Sequence, residues 1–141
     1  MRAKDILDKK GRAVVTIAPT AALGEAIETL AERNIGAVVV AEGDRPVGIL
    51  SERDVVRLLA GAPTGYRENR MDSVMTRDLV TVGEGATLDE VEDLMTDRRI
   101  RHVPVVANDA LVGILSIGDV VAHRIRAARE EAEALKGYIQ G

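Results

Sequence analysis

Cysteine is absent from the 141-residue chain, as are tryptophan and phenylalanine, and Tyr66 and Tyr138 are its only aromatic residues. Without thiols there is no disulfide, no thiolate nucleophile and no cysteine-based zinc site, although the redox compartment stays open. Without aromatic faces, stacking on bases or sugars is nearly closed to this chain. His102 and His123 are the only histidines, and no Gly-x-Gly-x-x-Gly, P-loop or His-Glu-x-x-His pattern occurs. Catalysis therefore has little to work with, and the chain is not expected to be an enzyme. Excess positive charge is missing too: a formal charge of −4 and a pI near 5.2 argue against a general nucleic-acid or anionic-membrane surface. Any anion site must be local. No apolar run approaches a membrane span, and Met1-Arg2-Ala3-Lys4-Asp5 lacks a signal-peptide core, so a soluble cytoplasmic protein is the expectation.

What the chain does have is an internal repeat. Val47-Gly48-Ile49-Leu50-Ser51-Glu52-Arg53-Asp54-Val55-Val56 returns as Val112-Gly113-Ile114-Leu115-Ser116-Ile117-Gly118-Asp119-Val120-Val121. A shift of 65 positions also pairs Val15 with Val80, Thr16 with Thr81, Leu23 with Leu88, Arg33 with Arg98, Ile35 with Ile100 and Val38 with Val103, without a gap. Two copies of so long a period describe two homologous half-domains rather than a solenoid. Only the lead-in differs: Ile6-Leu7 and Val74-Met75 look equivalent, and the first half then carries three extra residues within Asp8-Lys9-Lys10-Gly11-Arg12. The halves are expected at 1–62 and 71–126, joined by a linker at 63–70 and followed by a helical extension at 127–141. With 141 residues there is chain for one good core, or for two small halves that need each other.

Each half reads as a helical or extended lead-in, a short strand, a helix, a strand hairpin and a closing helix. In the first half, Lys4 to Leu7 leads into a charged loop at Asp8 to Arg12, and Val14 to Ile17 reads as a strand. A helix follows from Leu23 to Asn34, with Leu23, Ala26, Ile27, Leu30 and Ala31 on its apolar face. Gly36 to Ala41 and Pro46 to Leu50 are the paired strands, Glu52 to Leu59 is the closing helix, and the Gly61-to-Gly65 stretch breaks it. In the second half, Thr87 and Glu90 form a capping-box pattern, and Asn108-Asp109 turns between strands His102–Ala107 and Leu111–Leu115. The last helix is expected to run on to about Lys136. Its Val121, Ile125, Ala128, Ala132, Leu135 and Ile139 recur by four and three, which describes either a coiled-coil-like seam or a helix folded back on its own domain.

The repeated turn carries the candidate chemistry. Ser51 and Ser116 can simply cap helices while Asp54 and Asp119 complement the helix dipole. That serine and aspartate persist while Glu52-Arg53 becomes Ile117-Gly118 points to a further role. A strand ending at a helix start aims backbone N–H groups at whatever lies before it, which suits phosphate. The aspartates would repel a phosphate there and instead suit the vicinal hydroxyls of a ribose. An adenine without aromatic partners must lie between aliphatic side chains, which Val15, Ile35, Val80 and Ile100 are placed to supply.

The strand-helix-strand-strand-helix order, the doubled Gly-Ile-Leu-Ser-x-x-Asp turn and Arg101-His102-Val103-Pro104-Val105 resemble a tandem cystathionine-β-synthase (CBS) domain pair, or Bateman module, of the stand-alone bacterial type. The likeness covers roughly Lys4 to Arg126. It implies an α/β (α+β) fold of two pseudo-symmetric halves packed through their sheets, two clefts that hold adenosine nucleotides, and modules that pair into homodimers. Members sense AMP, ADP or ATP and control an attached or separate protein partner. The matching family positions put Arg101, assisted by His102, on the phosphate of AMP or a related adenine nucleotide in the cleft of Ser116 and Asp119. Their first-half counterparts, Gly36 and Ala37, offer only backbone. Arg101 also reads as half of a surface ion pair, and His102 as a packed core residue. For the cleft of Ser51 and Asp54, the phosphate charge would come from Arg53 or from the loop carrying Lys10 and Arg12, which also reads as merely solvated. Some stand-alone modules of this family accept NAD(H), and the short chain and extended last helix are similar to theirs. Thr16 and Gly118 complete the candidate nucleotide-binding set; no metal ligands are assigned. The competing readings are a structural dimerisation or partner-docking module without ligand, and a small dinucleotide-using enzyme.

Overall fold

The apolar run at Val38-Val39-Val40 becomes a strand buried on both faces, the pattern of a middle strand with packing above and below. The structure, a computed structural model, describes residues 1–61 and 64–140. In order these form α1 (Ala3–Lys10), β1 (Thr16–Ile17), α2 (Leu23–Arg33), β2 (Ala37–Glu42), β3 (Arg45–Ser51) and α3 (Glu52–Ala60). A 3₁₀ turn (Tyr66–Glu68) and α4 (Met71–Val74) lead to β4 (Val82–Gly83), α5 (Leu88–Arg98), β5 (His102–Ala107), β6 (Ala110–Ser116) and α6 (Ile117–Gln140). Two three-stranded sheets result, ordered β1-β2-β3 and β4-β5-β6, each with one parallel and one antiparallel pairing. The fold is thus α+β and duplicated, and the repeat is kept in detail. Asn34 and Arg99, 65 positions apart, both take left-handed backbone at the ends of α2 and α5. Asn108 and Asp109 turn the second hairpin with φ of 51° and 65°. Thr87 and Glu90 form the expected reciprocal cap on α5.

The two cores are not the two halves of the sequence. Ala3, Ile6 and Leu7 of α1 pack into the second core, with Val91, Val103, Val105 and Leu115. Met71 and Met75 pack into the first, with Leu23, Val38, Val40 and Leu50. The lead-in segments are therefore exchanged between the halves. Two glycines receive them: a Cβ on Gly113 would lie 2.5 Å from Leu7, and one on Gly48 would lie 2.5 Å from Met75. The sheets also touch directly, with β3 against β6 and the Leu111 amide donating to the Asp44 carbonyl at 2.7 Å. The half-domain boundary drawn at residues 62 and 63 lies outside the described residues.

Three expectations are corrected. The charged Asp8-to-Arg12 stretch is not a loop throughout, because α1 continues to Lys10, where Lys9 and Lys10 suit the negative end of the helix dipole. Gly11, at φ 102°, then ends it. The strand expected at Val14–Ile17 shrinks to Thr16–Ile17, since its neighbour offers pairing only at Val39 and Val40. Finally, α6 does not fold back: every residue from Arg124 to Gln140 is exposed. No helix among the described residues is long and apolar enough to cross a membrane.

Candidate functional site

Ser51 and Ser116 end β3 and β6, and each pairs across its sheet with the first residue of the middle strand, Ala37 and His102 respectively. This places strand start, strand end and helix start side by side in each half. In the first half Glu52 N donates to Gly36 O, and in the second Ile117 N donates to Arg101 O, both at 2.9 Å. The serines cap: Asp54 N and Asp119 N donate to Ser51 Oγ and Ser116 Oγ at 3.2 Å, while Ser51 N and Ser116 N donate to the aspartates at 2.9 and 2.8 Å. The capping reading of Ser51 and Ser116 is thus realised in both turns. In each first turn the amide of the opening residue and that of the aspartate are used within the protein.

The two turns differ in the charge the structure brings to them. Lys10, expected at the cleft of Ser51 and Asp54, lies at the other one. It donates to Asp119 Oδ2 at 2.7 Å and to Ile114 O at 2.8 Å. The cause is the exchange of lead-ins, since α1 packs on β6 and its last turn ends over the start of α6. Arg12 is bound to Asp8 and Glu84 at 2.8 and 2.6 Å, so it does not serve the first cleft either. Arg53 is the exposed cation left beside Asp54.

His102 reaches from β5 to the first half. A Cβ on Gly36 would lie 2.9 Å from its Cε1 and Nε2 and 3.4 Å from Glu52 Oε1, so the glycine makes room for an imidazole and a carboxylate. Lys10, Glu52, Arg101, His102 and Asp119 thus share one electrostatic neighbourhood. Burial lowers His102 below the ordinary histidine range, and Lys10 and Arg101 add to this; Glu52 and Asp119 oppose it without reversing it. Burial works the other way on Asp119, but the hydrogen bonds from Lys10 and the Ser116 amide prevail and keep it below the usual carboxylate range. Arg101 is exposed, and the ion pair that was its alternative reading is not formed among the described residues.

The remaining candidates differ in burial. Val15 and Ile35 are half-buried against the first core and Ile100 against the second; Val80 is half-buried. Thr16 is exposed on β1, Ala37 is buried in β2, and Gly118 is exposed in the first turn of α6. Glu52 is a polar group that the sequence reading passed over. Its signal was available in the repeat, where an acid in one copy stands against Ile117 in the other.

His123 was also passed over. It is buried in α6, its Nδ1 without a hydrogen-bond partner among the described residues, and burial lowers its pKa, with Arg126 and Lys9 adding to the effect and Asp119 opposing it. Both histidines thus hold protons less readily folded than unfolded. The unfolded chain takes up more protons as pH falls below about 6.5, and stability is lost from there down through the folded values. The midpoint of thermal unfolding is expected to fall between pH 7.5 and 5.5, and His123→Leu should reduce that slope while removing an unpaired buried nitrogen. A slope unchanged in His123→Leu and in His102→Gln would refute this assignment.

The sequence pattern of the CBS domain matches twice, at residues 3–61 and 71–126. The solved structure of the CBS-domain containing protein ATU1752 from Agrobacterium tumefaciens is 43% identical, with a TM-score of 0.83 over 88% of this chain and 99% of that one. The CBS domain protein PAE2072 from Pyrobaculum aerophilum, solved in complex with AMP, is 28% identical, with a TM-score of 0.75 over 84% and 89%. The CBS domain pair of protein MJ0100, solved with 5′-methylthioadenosine and S-adenosyl-L-methionine, is 27% identical, with a TM-score of 0.76 over 92% and 98%. Against curated relatives the chain spans less: 59%, 33% and 63% of the lengths of three that it matches at 35%, 40% and 32% identity.

Proposed function

Because the chain belongs to the CBS-domain family and carries the domain twice in tandem, we propose that it is a regulatory module that binds an adenine nucleotide and passes its occupied state to a protein partner. The observation that carries this is the second-half turn, where Arg101, in no ion pair among the described residues, immediately precedes His102 and accepts through its carbonyl from Ile117 N at the start of the helix that carries Asp119. Asp119 accepts its hydrogen bonds through Oδ2, which leaves Oδ1 for a ribose hydroxyl. Val80 and Ile100 offer aliphatic surface to adenine, Arg101 a charge to phosphate, and the neutral imidazole of His102 a single N–H. The ligands of the two similar structures share adenosine and differ in what it carries, which matches a site whose fixed element is a carboxylate for the sugar.

AMP is the favoured ligand. NAD(H) asks for more positive charge than the first cleft retains, because Lys10 and Arg12 are committed elsewhere. A ligand bridging the halves shifts their relative orientation only by as much as it binds one orientation better. A homodimer in which both halves are read by a partner would turn that difference into a signal.

Calorimetric titration with AMP, adenosine and NAD, together with mass spectrometry of small molecules released on denaturation, tests this reading. Saturable AMP binding with a raised unfolding temperature is expected. No heat, no thermal shift and no released nucleotide would leave a structural docking module instead, the reading favoured by the Lys10 contact that already occupies Asp119.

A further inference from the structure

The two repeated turns hold the same aspartate in different company. Among the described residues Asp54 accepts only from the Ser51 amide, at 2.9 Å, and is in no ion pair. Asp119 accepts from the Ser116 amide at 2.8 Å and from Lys10 Nζ at 2.7 Å, both on Oδ2. A carboxylate oxygen has two acceptor positions, so Oδ2 of Asp119 is full while Oδ1 is open. One sugar hydroxyl can be served by Oδ1. A vicinal pair, gripped with one oxygen each, needs Lys10 gone from Oδ2.

The exchanged lead-ins explain the difference. After Met75 the chain runs along the outer edge of β3, where Thr76 N donates to Ile49 O at 2.9 Å and Ile49 N to Thr76 O at 3.1 Å. After Leu7 the chain stays helical through Lys10, so the matching edge carbonyl, Ile114 O, is met at 2.8 Å by the lysine Nζ instead. Three positions beyond Met75, where Lys10 follows Leu7, the chain has Asp78, which when ionised cannot donate to a carboxylate. We propose that Lys10 is a tethered occupant of the sugar site, competing with the vicinal hydroxyls of an adenosine ligand for Asp119, so that full binding at the second turn expels it. The contact is placed to yield. Lys10 is the last residue of α1, before Gly11 at φ 102°, and the two side chains are 31% and 20% exposed; ion pairs that accessible are weak. The expelled lysine belongs to the helix whose Ile6 and Leu7 fill the second core, which makes α1 the element that reports occupancy.

This inference rests on the proposed sugar contact of Asp119, and its test keeps the two apart. Adenosine is the probe, because the phosphate of AMP would also feel the loss of a cation. In calorimetric titration Lys10→Met should bind adenosine about 3- to 10-fold more tightly than the wild-type chain. It should gain little for 2′-deoxyadenosine, whose remaining hydroxyl Oδ1 already serves. Lys9→Met, which removes a charge from the same helix end, should change neither affinity. In an Asp119→Asn background the gain from Lys10→Met should vanish, since the two residues act through one contact. Hydrogen exchange at residues 8–11 of the wild-type chain should quicken as adenosine saturates it, as the last turn of α1 loses its anchor. Adenosine bound no better by Lys10→Met than by a wild-type chain that binds it would overturn the inference and leave the proposed function standing. So would a gain that survives Asp119→Asn, or exchange at residues 8–11 that slows on binding. No adenosine binding by either chain would overturn both.

Discussion

Leu7→Ala is expected to lower the stability of the protein by about 2–5 kcal/mol in denaturant unfolding, a large part of the 5–15 kcal/mol typical of a folded domain. Leu7 is 1% exposed and sits over Gly113 in the core that otherwise belongs to residues 82–120. Its loss should be felt far along the chain, so hydrogen exchange should accelerate first in β5, β6 and α5 rather than in the neighbouring β1 and α2. Gly113→Ala attacks the same contact from the other side. Its new Cβ would lie 2.5 and 2.7 Å from the two methyl carbons of Leu7, an overpacking that costs about 1–3 kcal/mol. Because the two residues touch, the double variant should be less damaged than the sum of the singles, as alanine at position 7 makes room for the methyl. Strict additivity, or exchange that quickens in the first half, would show that the lead-ins are not swapped.

Asp119→Asn is expected to weaken AMP binding by about 10- to 150-fold, the equivalent of one charge-assisted hydrogen bond of roughly 1.5–3 kcal/mol. Asparagine can still accept from the Ser116 amide, so the helix start should survive. The loss should be as large for adenosine as for AMP if the carboxylate holds the sugar. Arg101→Ala should behave differently, weakening AMP while sparing adenosine, because its charge is directed at phosphate. Unchanged affinity in Asp119→Asn would end the ribose assignment, and equal losses for both ligands in Arg101→Ala would end the phosphate assignment.

The sequence alone determined what depends on local pattern. The 65-residue shift announced two copies of one half, the spacing of apolar residues placed α2 and the two hairpins within a residue or two, and the Thr87 cap marked the start of α5. The Ser-x-x-Asp turns, the Thr87 cap and the contrast of Arg101-His102 with Gly36-Ala37 were all legible, since each is a matter of neighbours in the chain. Only the tertiary structure decided which segment fills which core. Ile6-Leu7 and Val74-Met75 are apolar pairs that would satisfy either half, both halves offer the same glycine hollow, and the folded chain seats Leu7 over Gly113 and Met75 over Gly48. That choice carried Lys10 to Asp119 instead of the cleft of Asp54, and the same folding brought Glu52 and His102 together at Gly36. Likewise, the four-and-three stripe of α6 was consistent with a folded-back helix until the rest of the chain left it exposed. The physical reason is common to all three. Hydrophobic burial is non-directional and says that a face must be covered, while shape and charge at a distance in sequence decide by what.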